Sequence, residues 1–179
     1  MFEIVKGDLL EAKEKYIAHQ CNATSNQAGG LAHYLFKRFP YANIYKHRPY
    51  PYKPTGPDFP GHFVLTGNGI DQRFVINMLA QYYPGDPVGD ASLLDSRKKR
   101  EAYFTSCLVS MAQIKNMESI AFPFKIGCGL AGGDWDTYLK MLQVFDIGVN
   151  MKQNVRVVVY DNGDAIEKSL TYRRRTPTL

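Results

Sequence analysis

Between positions 126 and 133 the chain reads Ile126-Gly127-Cys128-Gly129-Leu130-Ala131-Gly132-Gly133, four glycines in eight residues. Such a run lets several backbone N–H groups turn toward one point. A helix starting just beyond it would add the positive end of its dipole, and the chemistry on offer is anion binding. No Gly-Lys-Ser/Thr follows, so the loop is not a Walker A sequence. It also lies late in the chain with no acidic residue placed for a ribose, which argues against a dinucleotide fingerprint. A merely tight turn is the bland alternative. Asp134 and Asp136 follow at once, and acids in a first helical turn read as caps that complement the dipole.

A second polar stretch, His19-Gln20-Cys21-Asn22-Ala23-Thr24-Ser25-Asn26-Gln27-Ala28-Gly29-Gly30, begins where an apolar run ends. His19 offers a titratable imidazole, or else a satisfied half-buried one. Asn22 could hold sugar hydroxyls or close its own turn. No base is placed beside Cys21, so it reads as a small packing residue.

Both loops need elements to position them. Residues 2–6 and 16–19 read as short strands, the second running into the polar loop. Leu31, Leu35, Phe36 and Phe39 then recur at helical spacing up to Pro40. Five prolines between Arg48 and Gly61 exclude helix and interior strand and predict an irregular surface excursion or lid, free to vary without disturbing the core. Residues 62–66 and 73–77 read as a strand pair joined through Gly67-Asn68-Gly69. Residues 81–90 read as a loop, and Phe104, Cys107, Leu108, Met111 and Ile114 mark a helix over 95–116. A buried strand at 119–123, a helix carrying Trp135, Tyr138, Leu142 and Phe145, and a strand at 155–160 complete the pattern. Residues 1–165 are expected to form one domain, and 166–179 a basic tail ending in Arg173-Arg174-Arg175. Strands alternating with helices predict a three-layer α/β/α sandwich on a central mixed sheet, with ligands outside the carboxyl ends of the strands.

Composition narrows the class. The chain has 179 residues, 45% apolar and 22% charged, ordinary values for a globular domain. Mean hydropathy is -0.30, and no apolar run approaches the roughly 20 residues of a membrane helix. The N-terminus shows no secretory pattern. Three cysteines without metal-ligand spacing fit a reduced, cytoplasmic setting; a monomer is the default expectation, and no metal or cofactor is expected. The net charge of +5 suits an anionic ligand, and equally a soluble protein with a basic tail.

Taken together, Gly7-Asp8-Leu9-Leu10 after the first strand, the loop of residues 19–30, and Pro123 through Trp135 resemble the macrodomain family, whose members bind ADP-ribose. The glycine loop is similar to that of the small stand-alone branch acting on ADP-ribose 1''-phosphate. The resemblance implies that Asp8 accepts from the adenine amino group, that Leu9 and Tyr160 lie against the ring, and that Asn22, Gly29 and Gly30 surround the distal ribose. It implies further that Ile126, Gly127, Cys128, Gly129, Leu130, Ala131 and Gly132 hold the diphosphate through backbone amides. His19 and Asn22 match the catalytic positions. The lysine–aspartate pair of another hydrolase branch would fall near Ala80/Gln81 and at Ala131, and it is absent.

The leading expectation is hydrolysis of ADP-ribose 1''-phosphate to ADP-ribose and phosphate, with His19 as nucleophile or base and Asp86 or Asp90 as a weaker acid candidate. The rivals are removal of ADP-ribose from a protein or nucleic acid by a positioned water, a reader module without turnover, and single-stranded RNA binding through the arginine tail.

Overall fold

The computed structural model describes residues 1–163; the expected basic tail lies outside the described residues. The order of elements is β1 (Phe2–Lys6), β2 (Tyr16–Asn22), α1 (Gly30–Arg38), β3 (Phe63–Thr66), β4 (Phe74–Gln81), α2 (Arg97–Met111), β5 (Ser119–Pro123), α3 (Trp135–Asn150) and β6 (Arg156–Asp161). The six strands form one sheet in the order β1-β6-β5-β2-β4-β3. All neighbours run parallel except β3, which pairs antiparallel with β4 at the edge.

Alternation along β2 shows how the layers are built. Tyr16 and Ala18 face a cluster with Phe104, Met111, Leu142 and Phe145 of α2 and α3. Ile17 and Cys21 face the opposite cluster, with Leu35 and Phe36 of α1. Central strands are therefore buried on both sides, which explains why β4 reads Phe-Val-Ile-Asn-Met-Leu-Ala-Gln rather than alternating with polar residues. The result is the predicted three-layer α/β/α sandwich.

Boundaries shift where partners outside the local sequence decide them. β2 runs three residues past His19 and β4 four past Asn77, because each supplies ladder partners for the other out to Asn22 and Gln81. Helix α2 begins after Ser96, whose side chain accepts from Lys99 N at 3.1 Å, rather than at Asp95, whose carboxylate is engaged elsewhere. Beyond Met111 the chain turns toward Asn116, which adopts a left-handed φ of 58°. In the β3–β4 connection Gly67 has φ +89°, and a Cβ there would lie 2.1 Å from Arg73 O. Only glycine fits that turn.

The proline-rich stretch is irregular as expected, but it is anchored rather than free. Pro54 and Pro60 are buried, and Gly61 N donates to Leu79 O at 2.8 Å. Arg48 Nη1 donates to Asn22 O and Ser25 O, both at 3.0 Å. Its guanidinium sits 4.6 Å from the Tyr45 ring centroid. The segment braces the polar loop after β2, so its sequence is not at liberty to vary.

Phe104 of α2 packs against α3 within one helical layer, with its ring centroid 4.6 Å from that of Tyr138 and no solvent exposure. Phe104→Ala is expected to cost about 3–5 kcal/mol, read as a lower urea midpoint with an unchanged denaturant slope.

Candidate functional site

A cleft of about 340 Å³ opens at the carboxyl ends of β1, β6, β5, β2 and β4. Its volume falls within the range of small-molecule sites, roughly 300–1,000 Å³. At one end stand Asp8, Leu9 and Tyr160. Asp8 caps a short 3-10 turn, its Oδ1 accepting from Leu10 N at 2.9 Å. The Tyr160 hydroxyl donates to Glu14 Oε2 at 2.8 Å, which fixes the ring's position. Gly7 passes so close to that ring that a Cβ would meet it at 3.2 Å.

The glycine loop forms the middle of the cleft, and hydrogen-bond accounting shows how. The N–H groups of Ile126, Cys128, Gly132 and Gly133 donate to Pro123 O, Lys125 O, Gly129 O and Gly127 O. Those of Gly127, Gly129, Leu130 and Ala131 have no acceptor among the described residues, and all four residues line the cleft. Cys128 and Gly132 do not line it. The loop is thus a nest of four donors, not the full run from 126 to 132. Cys128 turns inward against the core, and Gly132 lies beside Asp86, whose Oδ1 a Cβ would meet at 3.0 Å. Across the cleft, α1 opens at Gly29 without a side-chain cap. Gly30, at φ +56°, leaves room for the Leu130 side chain, 3.0 Å from where a Cβ would be. Donors therefore face the cleft from two sides. Asp134 is the helix cap that the sequence suggested: its carboxylate accepts from Thr137 N at 2.9 Å. That bond and the one from the Thr137 hydroxyl hold its pKa below the usual carboxylate value.

At the far end lie Asn22, Gln20, Gln81, Pro84 and Gly85. Asn22 closes its own turn, Oδ1 accepting from Thr24 N at 3.2 Å and Ser25 N at 2.7 Å, and the residue lines the cleft. The rim here is held by Arg100, which is 1% exposed and paired with the wholly buried Asp95. Its Nε donates to Asp95 Oδ1 at 2.9 Å and its Nη2 to Oδ2 at 2.5 Å. Further N–H groups reach Tyr83 O, Gly85 O, Asp86 O and Ala131 O. One side chain so ties the loop after β4 to the glycine loop. Neither Arg100 nor Gln20 is marked by the sequence: one lies within the basic run 97–100, the other beside a histidine.

His19 is the main correction. It is 1% exposed and outside the cleft, packed edge-on to Phe36 of α1 at 5.4 Å. Its Nε2 lies 2.7 Å from Asn77 Oδ1. Asn77 Nδ2 donates to Val64 O at 3.2 Å, so Oδ1 is left to accept and the imidazole donates from Nε2. Burial outweighs this bond and pushes the His19 pKa down to about 4. The physical reason is strand parity: β2 continues past residue 19, so His19 faces α1 and its neighbour Gln20 faces the cleft. Asp86 and Asp90 also lie outside the cleft lining. Cys21 is a packing residue, its thiol pushed up to about 12 by burial. Among the described residues no group of His, Cys, Asp or Glu side chains could hold a metal ion.

Solved structures with this architecture are macrodomains. That of Mycobacterium tuberculosis DarG superposes with a TM-score of 0.65 at 20% identity, covering 89% of this chain and 97% of its own. An Oceanobacillus iheyensis macrodomain mutant solved with ADPR gives 0.60 at 18% identity, with coverage of 97% and 93%. A Trypanosoma brucei macrodomain gives 0.60 at 13%, with coverage of 95% and 65%. No family model matches the sequence, and no curated protein does. The likeness is one of fold: this chain is built as a macrodomain sandwich.

Two measurements test this geometry. Neutral when folded but protonatable when unfolded, His19 stabilises the native state fully above its ordinary pKa of 6.5, and that contribution is lost as pH falls toward 4. Wild type is expected to lose on the order of 3 kcal/mol more than His19→Gln across that window, by denaturant titration at each pH. Arg100→Met is expected to cost about 3–5 kcal/mol by leaving Asp95 buried and unpaired. The double variant Arg100→Met/Asp95→Leu should cost less than the sum of the two single variants.

Proposed function

We propose that the cleft binds ADP-ribose and that the protein hydrolyses ADP-ribose bearing a substituent at the 1''-position, releasing ADP-ribose. The observation that carries the binding half is the four-donor nest formed by Gly127, Gly129, Leu130 and Ala131, lying between an aromatic end and an amide end. A diphosphate presents only acceptor oxygens, and unsatisfied backbone donors at a fixed point suit it. Tyr160 and Leu9 offer a flat apolar surface for a base, with Asp8 to accept from an exocyclic amine. Asn22 offers a side-chain amide to a sugar. The O. iheyensis macrodomain solved with ADPR supports the same ligand.

For the reaction, His19 is not the catalyst of this reading, because it cannot touch a ligand in the cleft. The absent lysine–aspartate pair would fall near Ala80/Gln81 and at Ala131, and none of these residues can serve as base or nucleophile. Hydrolysis then rests on a water held between the diphosphate and the distal sugar, with the nest fixing the geometry of attack. Such a scheme requires only the binding loops. A macromolecular leaving group is favoured over free phosphate by the loop that follows the cleft-lining Gly85, in which Val88 (65%) and Leu93 (83%) are exposed.

Calorimetric titration with ADP-ribose is expected to show one site. In the same preparation ADP-ribose should be released from ADP-ribosylated protein faster than phosphate from ADP-ribose 1''-phosphate, and His19→Gln should retain the activity. No binding would overturn the proposal. Binding without release from either substrate would leave a reader and remove the enzymatic half, and loss of turnover with intact binding in His19→Gln would restore the histidine mechanism.

A further inference from the structure

Helix α1 carries an aromatic residue that packing does not account for. Tyr34 is 61% exposed and belongs to neither core cluster. Among the described residues its one ring neighbour is the exposed His33, edge-on at 5.3 Å. Single exposed aromatics are ordinary on a protein surface, and Tyr50 and Tyr83 are two others. Tyr34 differs from both in lining the cleft.

Its place along the helix says which end of the cleft it serves. Residues four apart share a helix flank, which puts Gly30, Tyr34 and Arg38 in one row. At the start of the row, Gly30 leaves room for Leu130 of the glycine loop. At its end, Arg38 Nε lies 3.6 Å from Glu11 Oε1, in the 3-10 turn that Asp8 caps. Leu31, three residues before Tyr34, packs against the core cluster that contains Leu9 and that Tyr160 also packs against. The row therefore runs from the glycine loop toward the Asp8–Leu9 end, with Tyr34 between. A long side chain on a helix leans back toward the N-terminus. That direction carries the ring toward Gly30 and Leu31, which line the cleft, and away from Arg38, which does not.

We infer that Tyr34 is a second base-stacking residue: with Tyr160 it gives the base end of the cleft two aromatic surfaces, one from α1 and one from β6. This rests on the ADP-ribose reading and adds to it a residue that recognises the purine by its face, where Asp8 addresses its amine edge. A purine is a wide flat π-system, and stacking on an aromatic ring removes both faces from water. Tyr34 has no core contact to give up when it does so, and a tyrosine has few rotatable bonds to order.

The test uses the full chain and ADP-ribose. Tyr34→Ala is expected to weaken binding about 10-fold. Tyr34→Phe is expected to stay within about 2-fold of wild type, because the ring face and not the hydroxyl makes the contact. Stacking also lowers the absorbance of the adenine band, so bound ADP-ribose should show hypochromism that shrinks in Tyr34→Ala and returns in Tyr34→Phe. Both variants are expected to keep the wild-type urea midpoint, since the side chain is exposed. Unchanged affinity in Tyr34→Ala, an equal loss in Tyr34→Phe, or weakened binding with undiminished hypochromism would overturn the inference while wild-type binding leaves the ADP-ribose reading standing. Failure of wild type to bind ADP-ribose would overturn both together.

Discussion

The Arg100–Asp95 pair is the constraint on which the cleft depends. A guanidinium and a carboxylate removed from water are tolerable only when nearly every donor and lone pair is satisfied. Here Arg100 meets both Asp95 oxygens and four backbone carbonyls, and Asp95 Oδ1 also accepts from Tyr82 N at 3.1 Å. Lysine could not replace it, since three donors on one nitrogen cannot span carbonyls on two loops. The residues between β4 and α2 form no helix or strand. Their carbonyls need partners, and Arg100 supplies them while also fixing Ala131 of the glycine loop. Rim and nest are thereby placed relative to each other by a single side chain.

The same logic of directed partners runs through the sheet beneath. His19 and Asn77 are ladder partners on β2 and β4, and they bond on the face toward α1. One residue on, Gln20 takes the other face and meets Gln81 instead. Each amide is oriented by an acceptor that cannot reverse: Val64 O for Asn77 and Tyr83 O for Gln81. Backbone carbonyls thus set the polarity of both buried pairs. On one face the pair is satisfied internally; on the other Gln20 Oε1 is left without a partner among the described residues, beside Gly127.

Much of the fold was legible because hydrophobic period and glycine punctuation are local. The stripe of Leu31, Leu35 and Phe36, the valine run of β6, and the two loops between strand and helix all stand where the residues suggest. What stayed hidden depends on partners distant in sequence. The length of β2 follows from β4, and a strand three residues longer decides that Gln20 rather than His19 lines the cleft. Arg100 looks like any member of Arg97-Lys98-Lys99-Arg100; only the fold of loop 82–95 over it reveals a buried hub. Glycine density indicated a nest, but which N–H groups remain unsatisfied depends on the turns the loop adopts. Asp8, Leu9, Asn22, Gly29, Gly30 and Tyr160 line the cleft because they sit directly at element ends.

An anion bound in a cleft of this composition would meet backbone donors and amides rather than charged side chains. Lys125 is the one lysine or arginine among its lining residues, and its backbone at φ 55° serves the turn of the glycine loop. The formal +5 of the whole chain would add only long-range attraction that salt screens. Backbone donors and amides act at contact distance, hold one geometry, and need no proton exchange with solvent. On the proposed reading, such a cleft suits a reaction in which position rather than acid–base strength carries the catalysis. Orientation of the bond to be broken is then a property of the scaffold, and the histidine that looked catalytic is free to serve as part of the core that holds it.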